Sequence, residues 1–343
     1  MPATLQDTIK TLESSGFEVA ATEINSAAML RKLLTQLPAD TMVWPNAYYT
    51  VENDGSLVWI QELLEEYGVP YVGTGADGLK KMLDKAQTHW FLQKAGVPIP
   101  ANLSINRSNI EDFETLVNES NLSWPIVVKP SAESCSEGVM KVNNMEEAFA
   151  QVRTILNNYP NSNAMLETFL PSEDVTCGFF QLKDEILLFP TYYQSLKRPG
   201  KDYVVERDLG VPPWSGPDIV MPPVTDRRIL DQLSIDMPVL VQAMGIEGVT
   251  RVDARIDEQG ILRYFDINGM PGLSYPKSVL VRQVYECIPD LPGPQVHAYL
   301  LNTIVLMAAD RFNMEIPASL YQKTLFHLKG GNAIRLSMAG EAT

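Results

Sequence analysis

The first part of the chain switches repeatedly between helical spacing of apolar residues and short apolar runs. Three segments of helical spacing alternate with three runs typical of strands, in the order TLQDTIKTLESSGF, FEVAATEI, AAMLRKLLTQL, TMVWP, SLVWIQELLEEYG and VPYVG. This alternation favours a small α/β unit with a parallel sheet. We therefore expect an N-terminal parallel α/β domain over residues 1–83.

The middle of the chain combines two predicted helices with three short strands. Asp84 is a suitable N-cap and Gly96 a suitable stop for a helix over DKAQTHWFLQKAG. A strand, a polar loop, a strand, a helix and a final strand follow, as WPIVVKP, SAESCSEG, VMKV, NMEEAFAQVRTIL and AMLETFL. We expect residues 84–173 to form a second unit.

From residue 174 the pattern is that of paired strands. VTCGFFQL and EILLFPTYY flank a turn at Lys183 and Asp184, and VTRVDARID and ILRYFDIN flank a turn at residues 258–260. Pro238 is expected to kink or shorten the helix between these hairpins. The polar loop of about residues 195–223 is long enough to be a functional segment. We expect a third, α+β unit over residues 174–343.

Composition and charge exclude several classes of protein. The formal net charge of −15 disfavours a nucleic-acid partner, which normally requires a basic surface. No apolar run approaches the ~18 residues of a membrane span. The N-terminus lacks a secretory pattern, so we expect a cytoplasmic protein with no membrane partner. The 3 cysteines are far apart, which indicates neither a zinc site nor a disulfide framework.

The strongest chemical signal is the predicted second hairpin. Arg251 and Asp253 share one face of its first strand, and Asp266 and Asn268 share one face of its second. Two carboxylates and an amide oxygen are ligands that Mg²⁺ prefers. On this pattern alone, an ordinary solvent-facing surface explains the residues equally well. The following GMPGL turn favours a site, because it allows the backbone to approach a ligand closely.

A second signal is Lys129, a charged residue inside an apolar strand. Such a lysine needs a partner or a function, or else it reaches water at the edge of the sheet. The loop after it could offer backbone N–H groups to phosphate oxygens, although it is not a P-loop. Glu167 and Asp174 follow another apolar strand, a weak signal by itself. The three histidines have no partner in the pattern, and no GxSxG motif indicates a hydrolase.

Taken in order, these segments resemble the motifs of the D-alanine–D-alanine ligase branch of the ATP-grasp enzymes. The segments are DKAQTHWFLQKAGVPIP, WPIVVKPSAESCSEGV, LETFLPSEDVT and GVTRVDARIDEQGILRYFDINGMPGLSYPKS. The resemblance extends from about Tyr71 to Lys277. It implies an ATP-grasp fold and an ATP-dependent ligase that activates a carboxylate and joins it to an amine.

The resemblance also implies a role for each matching residue. ATP would be held by Lys85, Lys129, the hinge from Glu167 to Leu170, and Asp174, with Ser136 in a mobile loop over the phosphates. One or two Mg²⁺ ions would be bound by Asp253, Asp266 and Asn268, and the tetrahedral intermediate by Arg251 and the Gly272 N–H. The second substrate would be bound by Lys277 and Ser278, and the loop from Lys197 to Arg207 would close over ATP. Related ligases often pair through the N-terminal unit, so a homodimer is an open prediction.

Departures from the family pattern favour a specialised amino-acid or peptide ligase. The usual Gly-rich loop with a Glu for the first substrate is missing, so either the chain is shortened or that substrate is held differently. Asp174 and Asp266 stand where the family has Glu, and Lys277 stands where a hydroxyl residue is common. A PKS turn also occurs in mycosporine amino-acid ligases, which keeps that substrate class open. The alternatives are a nucleotide-binding module without turnover and an ATP-grasp kinase.

Overall fold

The computed structural model describes residues 3–134, 137–195, 219–328 and 330–337. The N-terminal part of this structure contains four helices and one short hairpin, namely α1 (Ala3–Ser14), α2 (Ala27–Leu34), β1 (Tyr49–Val51), β2 (Leu57–Trp59), α3 (Ile60–Glu66) and α4 (Ala76–Leu83). A parallel bridge joins Val43 to Tyr71. The predicted TMVWP and VPYVG segments are therefore parallel neighbours, although they do not form regular strands.

Two further sequence-based predictions in this part are wrong. Residues 17–24 form no strand, and none of them is buried, so pairing there would gain little from apolar packing. The helix predicted over SLVWIQELLEEYG begins only at Ile60. The residues before it, Leu57–Trp59, pair with β1 instead.

The central part is a four-stranded antiparallel sheet covered by helices. Its elements are α5 (Lys85–Lys94), β3 (Asn102–Ile105), a 3₁₀ turn (Ile110–Asp112), α6 (Phe113–Glu119), β4 (Ile126–Pro130), β5 (Met140–Val142), α7 (Met145–Asn158) and β6 (Ala164–Thr168). The strand order is β3-β6-β4-β5. The predicted cap of α5 is confirmed, because the Asp84 side chain accepts hydrogen bonds from Ala86 N and Gln87 N. Gly96, with a φ of 77°, follows the end of that helix.

The C-terminal part is built on a second antiparallel sheet. Its elements are β7 (Asp174–Leu182), β8 (Glu185–Ser195), β9 (Ile219–Val220), α8 (Arg227–Met244), β10 (Thr250–Ile256), β11 (Leu262–Asn268), α9 (Val279–Cys287), α10 (Gly293–Arg311), α11 (Ala318–Tyr321) and β12 (Ile334–Ser337). The order is β11-β10-β7-β8-β12, with β9 beside β8. Both predicted hairpins are confirmed. One apolar core contains residues of α8, and the other contains residues of α9 and α10.

Of the two effects predicted for Pro238, a kink or a shortening of the helix, the shortening is wrong. Helix α8 continues through it, although a proline removes the hydrogen bond to the carbonyl four residues earlier. Met237 and Leu240 on either side are fully buried. Apolar packing of the helix face therefore compensates for the missing bond.

Candidate active site

Four polar side chains converge on the β10–β11 hairpin, as the alternation of its residues predicts. In the register of the strands, Asp253 lies opposite Asp266, and Arg251 lies opposite Asn268. Arg251 binds Asp253 with two hydrogen bonds, of 3.0 Å from Nε to Oδ1 and 2.7 Å from Nη2 to Oδ2. Thr176 Oγ1 of β7 donates to the same carboxylate at 2.5 Å.

The Asp266 carboxyl lies among positive charges. Lys85 Nζ is 3.7 Å from its Oδ1 and donates at 2.6 Å to the backbone oxygen of Glu133 in the polar loop. Burial alone would raise the pKa of Asp266, but the charges of Lys85, Lys129 and Arg251 together hold this pKa below its usual value. Asp266 is therefore ionised at neutral pH and available as an anionic ligand.

Lys129 is the centre of a buried polar cluster. Its Nζ lies 2.7 Å from Glu167 Oε1 on β6 and donates to the Phe265 backbone oxygen at 3.2 Å. His89 of α5 completes the cluster, with its Nε2 3.4 Å from the same Glu167 oxygen. Burial lowers the pKa of His89 to about 4, so this ring is neutral at neutral pH. The lysine in the apolar strand therefore has a partner and is not exposed at a sheet edge.

Asp174 is bound by Arg255, which is not among the predicted site residues. Arg255 Nε and Nη2 donate to its two carboxylate oxygens at 2.5 and 3.0 Å, and Arg255 Nη1 donates to the Leu170 backbone oxygen at 3.0 Å. Both partners are nearly fully buried. Any ribose contact by Asp174 must therefore share a carboxylate that Arg255 already holds.

The candidate site residues surround one cavity of about 500 Å³ between the two sheets. The predicted residues that line it are Lys85, Lys129, Glu167, Leu170, Asp174, Arg251, Asp253, Asp266, Asn268, Gly272 and Ser278. Among the described residues of its lining, carboxylates outnumber cationic side chains by six to four. A polyphosphate would therefore meet net negative charge from these described residues, which accompanying cations would offset.

Two of the predicted residues are not placed in this lining. Lys277 is exposed, one residue before Ser278, and does not line the cavity. Ser136, and the loop from Lys197 to Arg207, lie outside the described residues.

Sequence reasoning missed His89, Arg255, Thr176 and Tyr48. Tyr48 precedes β1 and brings the N-terminal part into the lining of the cavity. Arg255 carried a usable signal, because it continues the alternation of Arg251 and Asp253 along β10. His89 and Thr176 gave no local signal, because their partners Glu167 and Asp253 are distant in sequence.

The described residues contain no cluster of three His, Cys, Asp or Glu side chains suited to a metal. The predicted magnesium set is different in kind, with two carboxylates and one amide. Asn268 donates to Asp253 through Nδ2 at 3.3 Å, which leaves its carbonyl oxygen as the group to face a cation. This oxygen-only donor set fits Mg²⁺.

Comparison with known families decides the classification. A family described as "D-ala D-ala ligase C-terminus" matches residues 91–282, more than half of the chain. The chain belongs to the D-alanine–D-alanine ligase family. The predictions of this family and of a ligase that forms C–N bonds are thereby confirmed.

Curated relatives of this ligase family member extend the similarity beyond the matched region. A D-alanine–D-alanine ligase from Desulforudis audaxviator is 27% identical over 268 residues, covering 77% of this chain and 81% of the relative. One from Agrobacterium fabrum is 28% identical over 270 residues, covering 77% and 80%.

Solved structures confirm the ATP-grasp fold. The D-alanine–D-alanine ligase from Bacillus anthracis has a TM-score of 0.65 at 18% identity, covering 90% of this chain and 92% of that one. Its complex with ATP also has a TM-score of 0.65, at 17% identity, covering 91% and 96%. Among the described helices, none is both long and apolar enough to cross a membrane.

Proposed function

We propose that this protein is an ADP-forming ligase that joins a carboxylate to the amine of an amino acid or similar substrate. The γ-phosphoryl group of ATP would pass to the carboxylate, and the amine would displace phosphate from the acyl phosphate. The observation that carries the proposal is the arrangement in one cavity of paired Asp253 and Asp266 beside Lys85, Lys129 and Arg251. Family membership supports the same reaction class.

Nucleotide binding is assigned to the central sheet and the start of β7. Lys85 and Lys129 would contact the phosphates, since both line the cavity beside Asp266. The segment from Glu167 to Leu170 would contact adenine, and Asp174 the ribose. Ser136 would lie in the loop over the phosphates.

Asp253, Asp266 and Asn268 would hold one or two magnesium ions. Magnesium supplies positive charge that offsets the charge developing on the transferred phosphoryl group. The excess of carboxylates among the described residues of the lining supports metal-dependent nucleotide binding, because ATP alone would meet net negative charge from these residues.

Arg251 and the Gly272 N–H would stabilise the oxyanion that forms when the amine attacks the acyl phosphate. As that intermediate collapses, the bond between the carbonyl carbon and the phosphate oxygen breaks, and phosphate leaves with the oxygen. Arg251 would have to share its guanidinium between Asp253 and the oxyanion, since Asp253 accepts two of its hydrogen bonds.

The second substrate would be held at the turn of Lys277 and Ser278. D-alanine is a candidate because the relatives are D-alanine–D-alanine ligases. The lysine in this turn, which could bind a carboxylate as a point charge, favours another amino acid or a peptide instead. We further propose units at residues 1–83, 84–173 and 174–343, a lid at about 195–223, a cytoplasmic location and a homodimer through the N-terminal unit.

The test is release of ADP and phosphate with Mg²⁺-ATP across pools of amino acids and dipeptides. Release of both products that depends on one pair of substrates would support the ligase. ADP release with the phosphate retained in a product would indicate a kinase instead. Tight ATP binding without release in any pool would indicate a binding module.

A further inference from the structure

The turn that would hold the second substrate has internal hydrogen bonds. Ser274 O accepts from Lys277 N at 3.0 Å and from Ser278 N at 2.9 Å. Ser278 Oγ accepts from Ser274 N at 2.8 Å. These bonds fix the shape of the turn, but their groups all belong to the turn itself.

Helix α10 holds this turn from beneath through His297. The His297 Nε2 lies 3.0 Å from the Leu273 backbone oxygen. Because a carbonyl oxygen only accepts, Nε2 must carry the proton in this contact. The His297 ring also stacks on Tyr275, with centroids 5.6 Å apart and planes 29° apart. Gly293 of the same helix leaves room for the Tyr275 hydroxyl, with which a Cβ at that position would collide.

One peptide group is therefore held at both ends. Its carbonyl, from Leu273, accepts from His297, and its N–H, from Ser274, donates to Ser278 Oγ. The Ser278 hydroxyl accepts that N–H and keeps its own proton for donation. Since Ser278 lines the cavity, the orientation of this peptide constrains the hydroxyl that Ser278 can present there. His297 itself is 3% exposed and lies outside the cavity lining.

We propose that His297 is a positioning residue for the amine substrate, acting through the Leu273–Ser274 peptide on the Ser278 hydroxyl. The identity of the positioned substrate rests on the proposed ligase function. The contact between His297 and the peptide does not depend on turnover. Burial lowers the pKa of His297, so the ring is neutral and its one N–H is committed to Leu273. The substrate group recognised would be a hydrogen-bond acceptor such as a carboxylate.

The first experiment compares His297→Leu, which removes the donor, with His297→Gln, which keeps an N–H at similar reach. The control is His327→Leu, at an exposed histidine away from the turn. His297→Leu should raise KM for the amine about five- to tenfold, the effect of one lost hydrogen bond, and leave KM for ATP within about twofold. His297→Gln should recover most of the loss. Equal effects on both substrates, or no difference between Leu and Gln, would overturn the proposal.

Coupling to Ser278 distinguishes positioning from a general effect on stability. If both residues act through one peptide, His297→Leu should add little to the amine KM of Ser278→Ala. Additive effects of the two substitutions would contradict a shared route.

Hydrogen exchange tests the same contact without turnover. The backbone amides of residues 272–275, 277 and 278 should exchange about five- to tenfold faster in His297→Leu than in wild type, and near the wild-type rate in His297→Gln. Unchanged exchange in the Leu variant would overturn the proposal. If wild type turns over no substrate pair but exchange responds as expected, the proposed function fails while the positioning role stands.

Discussion

Removing Lys129 alone should destabilise the protein more than replacing both members of its ion pair. The ammonium is 2.7 Å from Glu167, and each side chain is only about one-twentieth exposed (6% and 5%). At an effective dielectric constant of about 20, unit charges at that distance attract by about 6 kcal/mol. Lys129→Met leaves the Glu167 carboxylate buried without this cation, and the expected loss of unfolding free energy is about 3–5 kcal/mol.

Urea unfolding of a double-mutant cycle measures this coupling. Lys129→Met and Glu167→Gln should each be strongly destabilised, and the double variant should lie within about 1 kcal/mol of wild type, because it buries no unpaired charge. Calorimetry should still detect no tight ATP binding by the double variant. The double variant therefore separates the role of this pair in stability from its role in nucleotide binding.

The matched control is the exposed pair of Arg31 and Glu66, 2.8 Å apart against 2.7 Å for the buried pair. Arg31→Met should leave the unfolding midpoint nearly unchanged, because water screens that pair. The reasoning is refuted if Lys129→Met is no more harmful than Arg31→Met. It is equally refuted if the double variant loses the sum of the two single effects.

Three further predictions concern the metal, the second substrate and pH. Asp266→Ala should abolish Mg²⁺-dependent turnover, and an unchanged circular dichroism spectrum with full activity would remove the metal assignment. Lys277→Ala should raise KM for the amine far more than KM for ATP, whereas equal rises would make the lysine structural. The pKa of His89 is lowered to about 4, so the unfolded chain binds the additional proton between about pH 4 and 6.5. Stability should therefore fall by about 3 kcal/mol through that range as pH decreases. In urea unfolding of His89→Gln at several pH values, the free energy of unfolding should lack this part of its dependence on pH. The same pH dependence in the variant and in wild type would refute the burial argument.

The β10–β11 hairpin could be predicted because its information is local. Strand residues alternate between faces, so the sequence alone predicts a common face for four polar residues within a stretch of 18. These residues are Arg251, Asp253, Asp266 and Asn268. Lys129 could be recognised as a candidate site residue for a similar reason, because it is a charged residue inside an apolar strand. These local patterns are sufficient to predict the placement of the central groups.

Other features depend on contacts between distant residues. His89 looks like any polar helix residue until α5 packs against Glu167 and Phe265. Arg255 pairs with Asp174, which lies 81 residues earlier in the sequence. The apolar pattern of residues 17–24 is that of a strand, yet a strand also needs a partner and a buried face, which a local pattern does not supply.

The most direct test of the ligase mechanism follows the carboxylate oxygens. With a substrate pair identified by ADP release, the carboxylate is labelled with ¹⁸O and the released phosphate is analysed by mass spectrometry. The mechanism predicts one ¹⁸O atom in each phosphate, because the carboxylate oxygen that attacks the γ-phosphorus leaves with it. Phosphate without ¹⁸O would show that ATP is hydrolysed without activation of the carboxylate, and would contradict the account.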